Sequence, residues 1–169
     1  KAEAAGPVKH AKLTPRMTET AKGLWGVYAL FSLLCVLAYW LGGMDPLNAL
    51  MYMFSTVSLG GLSPHDASFG YYQSALLEAI AVGFMLVASC NFALYFVAMR
   101  KGHWQGFWRD PELRATLSSL IGGGLLVAGL LWVKGVYAPL EALRHGMFSL
   151  VSVATTTGDA TVDYLGWPV

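Results

Sequence analysis

The chain has 169 residues, of which 56 % are hydrophobic and only 12 % charged, a balance far from that of an average soluble domain. A formal net charge of +1, with no basic stretch interleaved with aromatics, gives no footing for a nucleic-acid partner. No nucleophile–base set, phosphate-binding loop or metal-ligand cluster is present, so the residues point away from an enzyme and away from any covalently bound cofactor.

The charges are segregated along the chain. Residues 1–22 are polar and hold Lys1, Lys9, Lys12, Arg16 and Lys22, with no secretory signal pattern. Residues 23–43 then carry no charge and are long enough to cross a hydrocarbon core as a helix. Asp45 and Pro46 form a helix start, with Asp at the cap and Pro at the first helical position. Leu47, Leu50, Met51 and Phe54 recur behind them at helical spacing, predicting a half-helix over 46–57. This segment is too short to span a bilayer and reads as re-entrant.

A strip of small and hydroxyl-bearing residues follows, Ser-Thr-Val-Ser-Leu-Gly-Gly-Leu-Ser over 55–63. Residues 71–99 carry a single charge, Glu78, and predict a second span. A connection over 100–114 holds Arg100, Lys101, Arg109 and Arg114, and residues 115–133 form a third uncharged span. A second half-helix is predicted over 139–153 and leads into Ala-Thr-Thr-Thr-Gly at 154–158. The chain opens on Lys1 and ends at Val169 with no return span, so it reads as a piece of a longer protein whose second repeat, 115–169, is truncated.

Lys and Arg are absent from residues 44–70 and concentrated in 1–22 and 100–114. The positive-inside rule then places the N-terminal segment and the 100–114 connection in the cytoplasm, with both glycine strips opening outward. A half-helix entering from outside turns its partially negative C-terminal end toward the bilayer centre, which favours a cation. A shift of 97 residues aligns Asn48 to Gly61 with His145 to Gly158 without a gap, and Ser55/Ser152 and Gly61/Gly158 are identical. Irregular backbone survives at membrane depth only when packed in protein or lining a water-filled path. Two repeat-related strips of carbonyls and hydroxyls therefore read as ion-coordinating pore loops; a turn-rich outer loop is the alternative reading of either strip alone.

Other polar residues have weaker roles. Asn91 lies inside a predicted span and reads as an interhelical hydrogen bond or a cavity-lining group. Glu78 reads as facing the outer interface or pairing with an absent repeat. Cys35 and Cys90 read as small buried hydrophobes, and Met51, Met53, Met85 and Met147 as packing. Trp104, Trp108, Tyr71 and Tyr72 fit interfacial anchors. His10, His103 and His145 have no metal-ligand spacing. Arg109, Asp110 and Arg114 read as a charged surface cluster on the connection or as local ion pairing without a partner.

Several segments together resemble the Trk family of potassium-uptake proteins (TrkH, TrkG and TrkI). Residues 55–71, Ser-Thr-Val-Ser-Leu-Gly-Gly-Leu-Ser-Pro-His-Asp-Ala-Ser-Phe-Gly-Tyr, resemble the family's second pore loop. Ser-Val-Ala-Thr-Thr-Thr-Gly at 152–158, followed by Trp167-Pro168, resembles the third. Thr18-Glu19-Thr20-Ala21-Lys22, Ser89-Cys90-Asn91 and Trp108-Arg109-Asp110-Pro111-Glu112 add to the match.

The resemblance implies an all-α integral membrane fold of membrane-pore-membrane repeats, here the second (23–99) and most of the third, out of four per chain. It implies a potassium filter built from Val57, Ser58, Leu59, Gly60 and Gly61 in one repeat and Ala154, Thr155, Thr156, Thr157 and Gly158 in the other. Leu62 and Asp159 stand where the family commonly has Phe, which would put a carboxylate at the filter mouth. Asp159 is thus an outer-vestibule candidate, and Asp66, with His65, reads either as an outer-vestibule group that attracts cations or as a solvated loop residue. The implied whole is a bacterial inner-membrane homodimer with one pore per subunit and a nucleotide-binding cytoplasmic regulator of TrkA type, facing the charged cluster of the connection. Potassium is the implied substrate, and the lipid bilayer the implied surroundings. A cation-coupled secondary transporter with a broken-helix binding site is the alternative. A membrane subunit that anchors a cofactor is a further rival, which paired histidines on facing spans would support.

Overall fold

A computed structural model describes residues 13–102, 104–163 and 167. The basic residues Lys1, Lys9 and Lys12, with His10, His103 and Pro168, lie outside the described residues. Helix α1 (Leu13–Leu41) is followed by α2 (Pro46–Ser58), α3 (Ala75–Ala88), α4 (Phe92–Lys101), α5 (Trp104–Arg109), α6 (Pro111–Val133) and α7 (Pro139–Ala154). A 3₁₀ turn, Ser68–Tyr71, sits in the loop between α2 and α3.

Helix starts follow local side-chain chemistry. Asp45 accepts from the Asn48 amide at 3.2 Å, and Pro46 occupies the first turn of α2. Ser74 caps α3 by accepting from the Leu77 amide at 3.4 Å. Asp110, from the charged cluster of the connection, caps α6 by accepting from the Leu113 amide at 2.9 Å, with Pro111 behind it.

Among the described residues two helical stretches, Thr18–Leu41 and Pro111–Val133, are long and apolar enough to cross a membrane. The run expected to form one span over 71–99 is instead two helices, α3 and α4, bent by 82° at residues 89–91. The Ser89 hydroxyl and Cys90 thiol both bond back to the Leu86 carbonyl, at 2.9 and 3.1 Å, competing with the backbone ladder. Asn91 then accepts from the Ala93 amide at 2.9 Å and starts α4 afresh. Its exposed side chain thus acts as a helix cap.

Two apolar clusters hold the helices together. One gathers Cys35 and Tyr39 of α1, Ala49, Tyr52, Met53 and Val57 of α2, Leu77, Ala81 and Met85 of α3, and Phe148 and Val151 of α7. Phe69, in the 3₁₀ turn, is its centre, with ring centroids 4.6 Å from Tyr52, 5.8 Å from Tyr39 and 5.3 Å from Phe148. Burying one such ring contributes about 1.5–3 kcal/mol. The other cluster joins Val27, Cys90, Tyr95, Ala98, Phe107 and Leu113, from α1, α4, α5 and α6 and the break before α4.

The α6–α7 contact depends on small residues, as helix pairs in membranes do. A Cβ added at Gly146 would sit 2.8 Å from the Ala128 amide nitrogen, and one at Gly123 would meet Leu150 at 3.0 Å. The stripe of Leu47, Leu50, Met51 and Phe54 faces outward, and α2 packs through Ala49, Tyr52 and Met53. Met53 and Met85 are core residues, while Met51 is exposed. The outer faces of α1 and α6 are equally apolar, with Leu33, Trp40, Leu126 and Trp132 all exposed, which an aqueous surface does not tolerate over such an area.

Candidate ion-filter loops

Both half-helices end in the same irregular backbone. Leu59 leaves α2 in the left-handed region at φ 54°, and Thr156, 97 residues later, does so after α7 at φ 63°. Gly61 and Gly158, the next pair at that offset, lie at φ 65° and 79°. A left-handed non-glycine residue costs about 1–3 kcal/mol and persists only where its surroundings over-determine it. The loops repeat this strain at the same position. Main-chain bonds brace each one: Gly60 N–H donates to the Ser55 carbonyl at 2.9 Å and Gly158 N–H to the Ser152 carbonyl at 3.2 Å.

The two strips lie side by side. A Cβ added at Gly61 would overlap the Thr157 carbonyl oxygen, and one at Gly158 would stand 3.8 Å from the Gly61 α-carbon. Glycine at 61 is therefore required twice, by φ and by the approach of the second strip. Val57, Thr155 and Thr157 are buried, whereas Ser58, Gly60, Ala154, Thr156 and Gly158 are exposed and Leu59 and Gly61 half-buried. The Thr155 hydroxyl donates to the Val151 carbonyl at 2.7 Å and lies 2.8 Å from the Thr157 hydroxyl, so these side chains brace the turn.

Asp159 departs from its expected place at an open vestibule. Only 4 % of it is exposed. Its carboxylate accepts from Ser55 Oγ at 3.3 Å and from Ser68 Oγ at 3.2 Å. Its main-chain carbonyl accepts from Ser152 Oγ at 2.6 Å. Burial pushes the carboxyl up to about 6, against the opposing pull of the Ser68 and Ser55 hydrogen bonds. The identical pair Ser55 and Ser152 thus converges on one residue. Sequence reasoning marked that pair as a repeat identity without seeing what it holds.

Asp66 is exposed and lines a cleft of about 490 Å³ together with Gly70, Thr161 and Asp163. Asp163 stands 97 residues after Asp66, so the repeat brings equivalent carboxylates to one cleft. The same offset could have found it. His65, paired with Asp66 in the sequence reading, stacks on Tyr71 with centroids 3.9 Å apart and planes within 7°. Among the described residues no group of three or more His, Cys, Asp or Glu could hold a metal ion.

Glu78 finds its partner inside the chain. Arg144 of α7 grips it with Nε at 2.6 Å and Nη2 at 2.7 Å, a bidentate pair joining the two repeats. His145, beside it, lies 3.1 Å through Nδ1 from the Thr161 hydroxyl.

Helices of membrane-crossing length, two half-helices and a pair of strained loops held against each other define an α-helical membrane protein of repeated span, half-helix and loop units. Residues 1–169 match the family described as "TrkH: Cation transport protein". The chain belongs to that family. It is 45 % identical over 166 residues to the Trk system potassium uptake protein TrkH of Halomonas elongata, covering 98 % of this chain and 34 % of the relative. It is 41 % identical over 172 residues to the TrkH of Vibrio parahaemolyticus, covering all of this chain and 36 % of that one. The crystal structure of the potassium transporter TrkH from Vibrio parahaemolyticus superposes with a TM-score of 0.87 at 40 % identity, over 91 % of this chain and 34 % of the other. The chain thus spans about a third of the length of the relatives it matches.

Proposed function

We propose that the strips 57–61 and 154–158 are two walls of a filter through which the whole protein takes up potassium. The observation that carries this reading is the shared left-handed backbone at Leu59/Thr156 and Gly61/Gly158, brought together where Gly61 meets the Thr157 carbonyl. A dehydrated cation needs several oxygens at similar distances, and main-chain carbonyls on strained, braced loops supply them without rearrangement. The relatives named as potassium uptake proteins and the potassium transporter of the solved structure support the choice of ion.

In this reading the chain supplies the second repeat and most of the third, and two further loops complete each layer of oxygens. The loops open outward, with the N-terminal segment and the 100–114 connection in the cytoplasm, as the Lys and Arg distribution favours. The membrane is the bacterial inner membrane, where the membrane potential drives entry by about 2.3 kcal/mol per charge per 100 mV. Asp66 and Asp163 raise the local cation concentration at the outer cleft. The complete protein works as a homodimer with one pore per subunit, under a TrkA-type nucleotide-binding regulator that meets the connection near Arg109 and Arg114.

The test is rubidium uptake by the full-length protein in cells deficient in potassium transport. Gly158→Ser should abolish uptake or admit sodium; uptake and selectivity unchanged from wild type would remove the filter assignment. The broken α3–α4 pair is the one feature that favours a coupled secondary transporter. Uptake that required a proton or sodium gradient, and failed with membrane potential alone, would select that reading.

A further inference from the structure

We propose that Asp159 is a positioning residue for the filter: it fastens the second strip to the first and so sets which alkali cations pass. The inference rests on the filter reading above.

Asp159 directly follows Gly158, and its fastening is shared among three segments. Ser55 lies in the last turn of α2, immediately before Thr56 and Val57; its hydroxyl holds Oδ2 at 3.3 Å. Ser68 lies in the turn after the first strip, and its hydroxyl holds Oδ1 at 3.2 Å. Ser152 lies in the last turn of α7 and holds the Asp159 carbonyl at 2.6 Å. Two main-chain bonds continue the seam: Ala160 N–H donates to Ser68 Oγ at 3.2 Å, and Gly70 N–H donates to the Ala160 carbonyl at 3.3 Å. The segment after the second strip is therefore bonded at successive residues to the first repeat. Leu62, which holds the equivalent place in the first repeat, is exposed, so this fastening exists on one strip only.

The consequence follows from distance along the chain. Thr157, whose carbonyl oxygen abuts Gly61, is two residues from Asp159, and two residues give little slack. A buried carboxylate that accepts from hydroxyls of the opposite repeat fixes the separation of the strips in a water-poor site, where such bonds are strongest. Releasing it lets the oxygens relax outward or inward. Selectivity among cations of one charge depends on that spacing.

The experiment uses the full-length protein reconstituted in vesicles, with rubidium and sodium fluxes measured for wild type, Asp159→Asn, Ser68→Ala, the double variant and Gly61→Ser. Asp159→Asn keeps the side-chain shape, and Ser68→Ala removes one hydroxyl without altering the filter residues. Each single variant should lower the rubidium-over-sodium flux ratio roughly tenfold, the scale of one charge-assisted hydrogen bond. The double variant should lose less than the sum of the singles, because the Asp159–Ser68 contact is broken in both. If Gly61→Ser shifts the ratio and the Asp159 and Ser68 variants keep the wild-type value, the positioning role is overturned while the filter stands. If Gly61→Ser also leaves the ratio unchanged, the filter reading fails and this inference with it. Additive losses in the double variant would equally overturn the shared fastening. Should Asp159→Asn not fold, Ser68→Ala decides the matter alone.

Discussion

Gly61 and Thr157 meet main chain to main chain, with no room between the Gly61 α-carbon and the Thr157 carbonyl for even a methyl group. Gly61→Ala therefore carries two separate burdens, a left-handed backbone and a collision with the opposite strip. Gly135 has a similar φ of 70° but open space around it. Gly135→Ala should lose about 1–2 kcal/mol of stability and keep wild-type rubidium uptake. Gly61→Ala should lose uptake or selectivity as well. Parallel thermal unfolding and uptake measurements separate the two; equal behaviour of the variants would mean that the contact with Thr157 has no functional weight.

The Glu78–Arg144 pair ties α3 to α7 across the repeats. Glu78 is 3 % exposed and the Arg144 side chain 28 %, so the pair is desolvated mainly on the acid side. Breaking a buried pair leaves an uncompensated charge at a cost of about 3–5 kcal/mol, reduced here toward about 2 kcal/mol by the exposure of Arg144. Arg144→Met should lower the unfolding temperature of the detergent-solubilised protein. Adding Glu78→Leu to it should recover part of the loss, since both charges are then gone. Failure of the second substitution to recover anything would show that the ion pair is not what Arg144 supplies.

Asp159 makes stability depend on pH. Its carboxyl is pushed up to about 6 by burial, from an ordinary value near 3.8 in the unfolded chain. Between these values the folded chain keeps a proton that the unfolded chain releases, so stability falls as pH rises through that window and is flat above it. The change is on the order of 3 kcal/mol. Unfolding followed from pH 4 to 7.5 should show this slope in wild type and a shallower one in Asp159→Asn. Identical slopes would refute the assignment.

The α6–α7 seam predicts a contrast between glycines of the same helical hairpin. At Gly146 a Cβ would press on the Ala128 backbone, which cannot move aside, whereas at Gly129 nothing lies within 4 Å. Gly146→Ala should destabilise by about 1–3 kcal/mol through overpacking. Gly129→Ala should be neutral or gain up to about 1 kcal/mol from helix propensity. Thermal unfolding of both variants checks the sign.

What was legible in the sequence was local. Asp45 and Pro46 announce α2 because a cap and its helix are neighbours, and the uncharged runs announce α1 and α6 because length and hydropathy need no partner. The strips were legible through their offset of 97, which pairs Ser55 with Ser152 and Gly61 with Gly158. The break at Ser89–Asn91 was not, since hydroxyl and thiol groups inside an apolar run can bond back within an unbroken helix as easily as end one. The burial of Asp159 was hidden because its partners Ser55 and Ser68 lie 104 and 91 residues away. Glu78 read as unmatched for the same reason: Arg144 is 66 residues distant, in the other repeat.

The central claim is that the paired loops select the ion. Its most direct test is the rubidium-over-sodium flux ratio of the full-length protein in vesicles, compared among wild type, Gly61→Ser and Gly158→Ser. A side chain at either left-handed glycine should collapse the ratio toward unity or stop flux altogether, in both variants alike. Wild-type flux and a wild-type ratio in both would contradict the account.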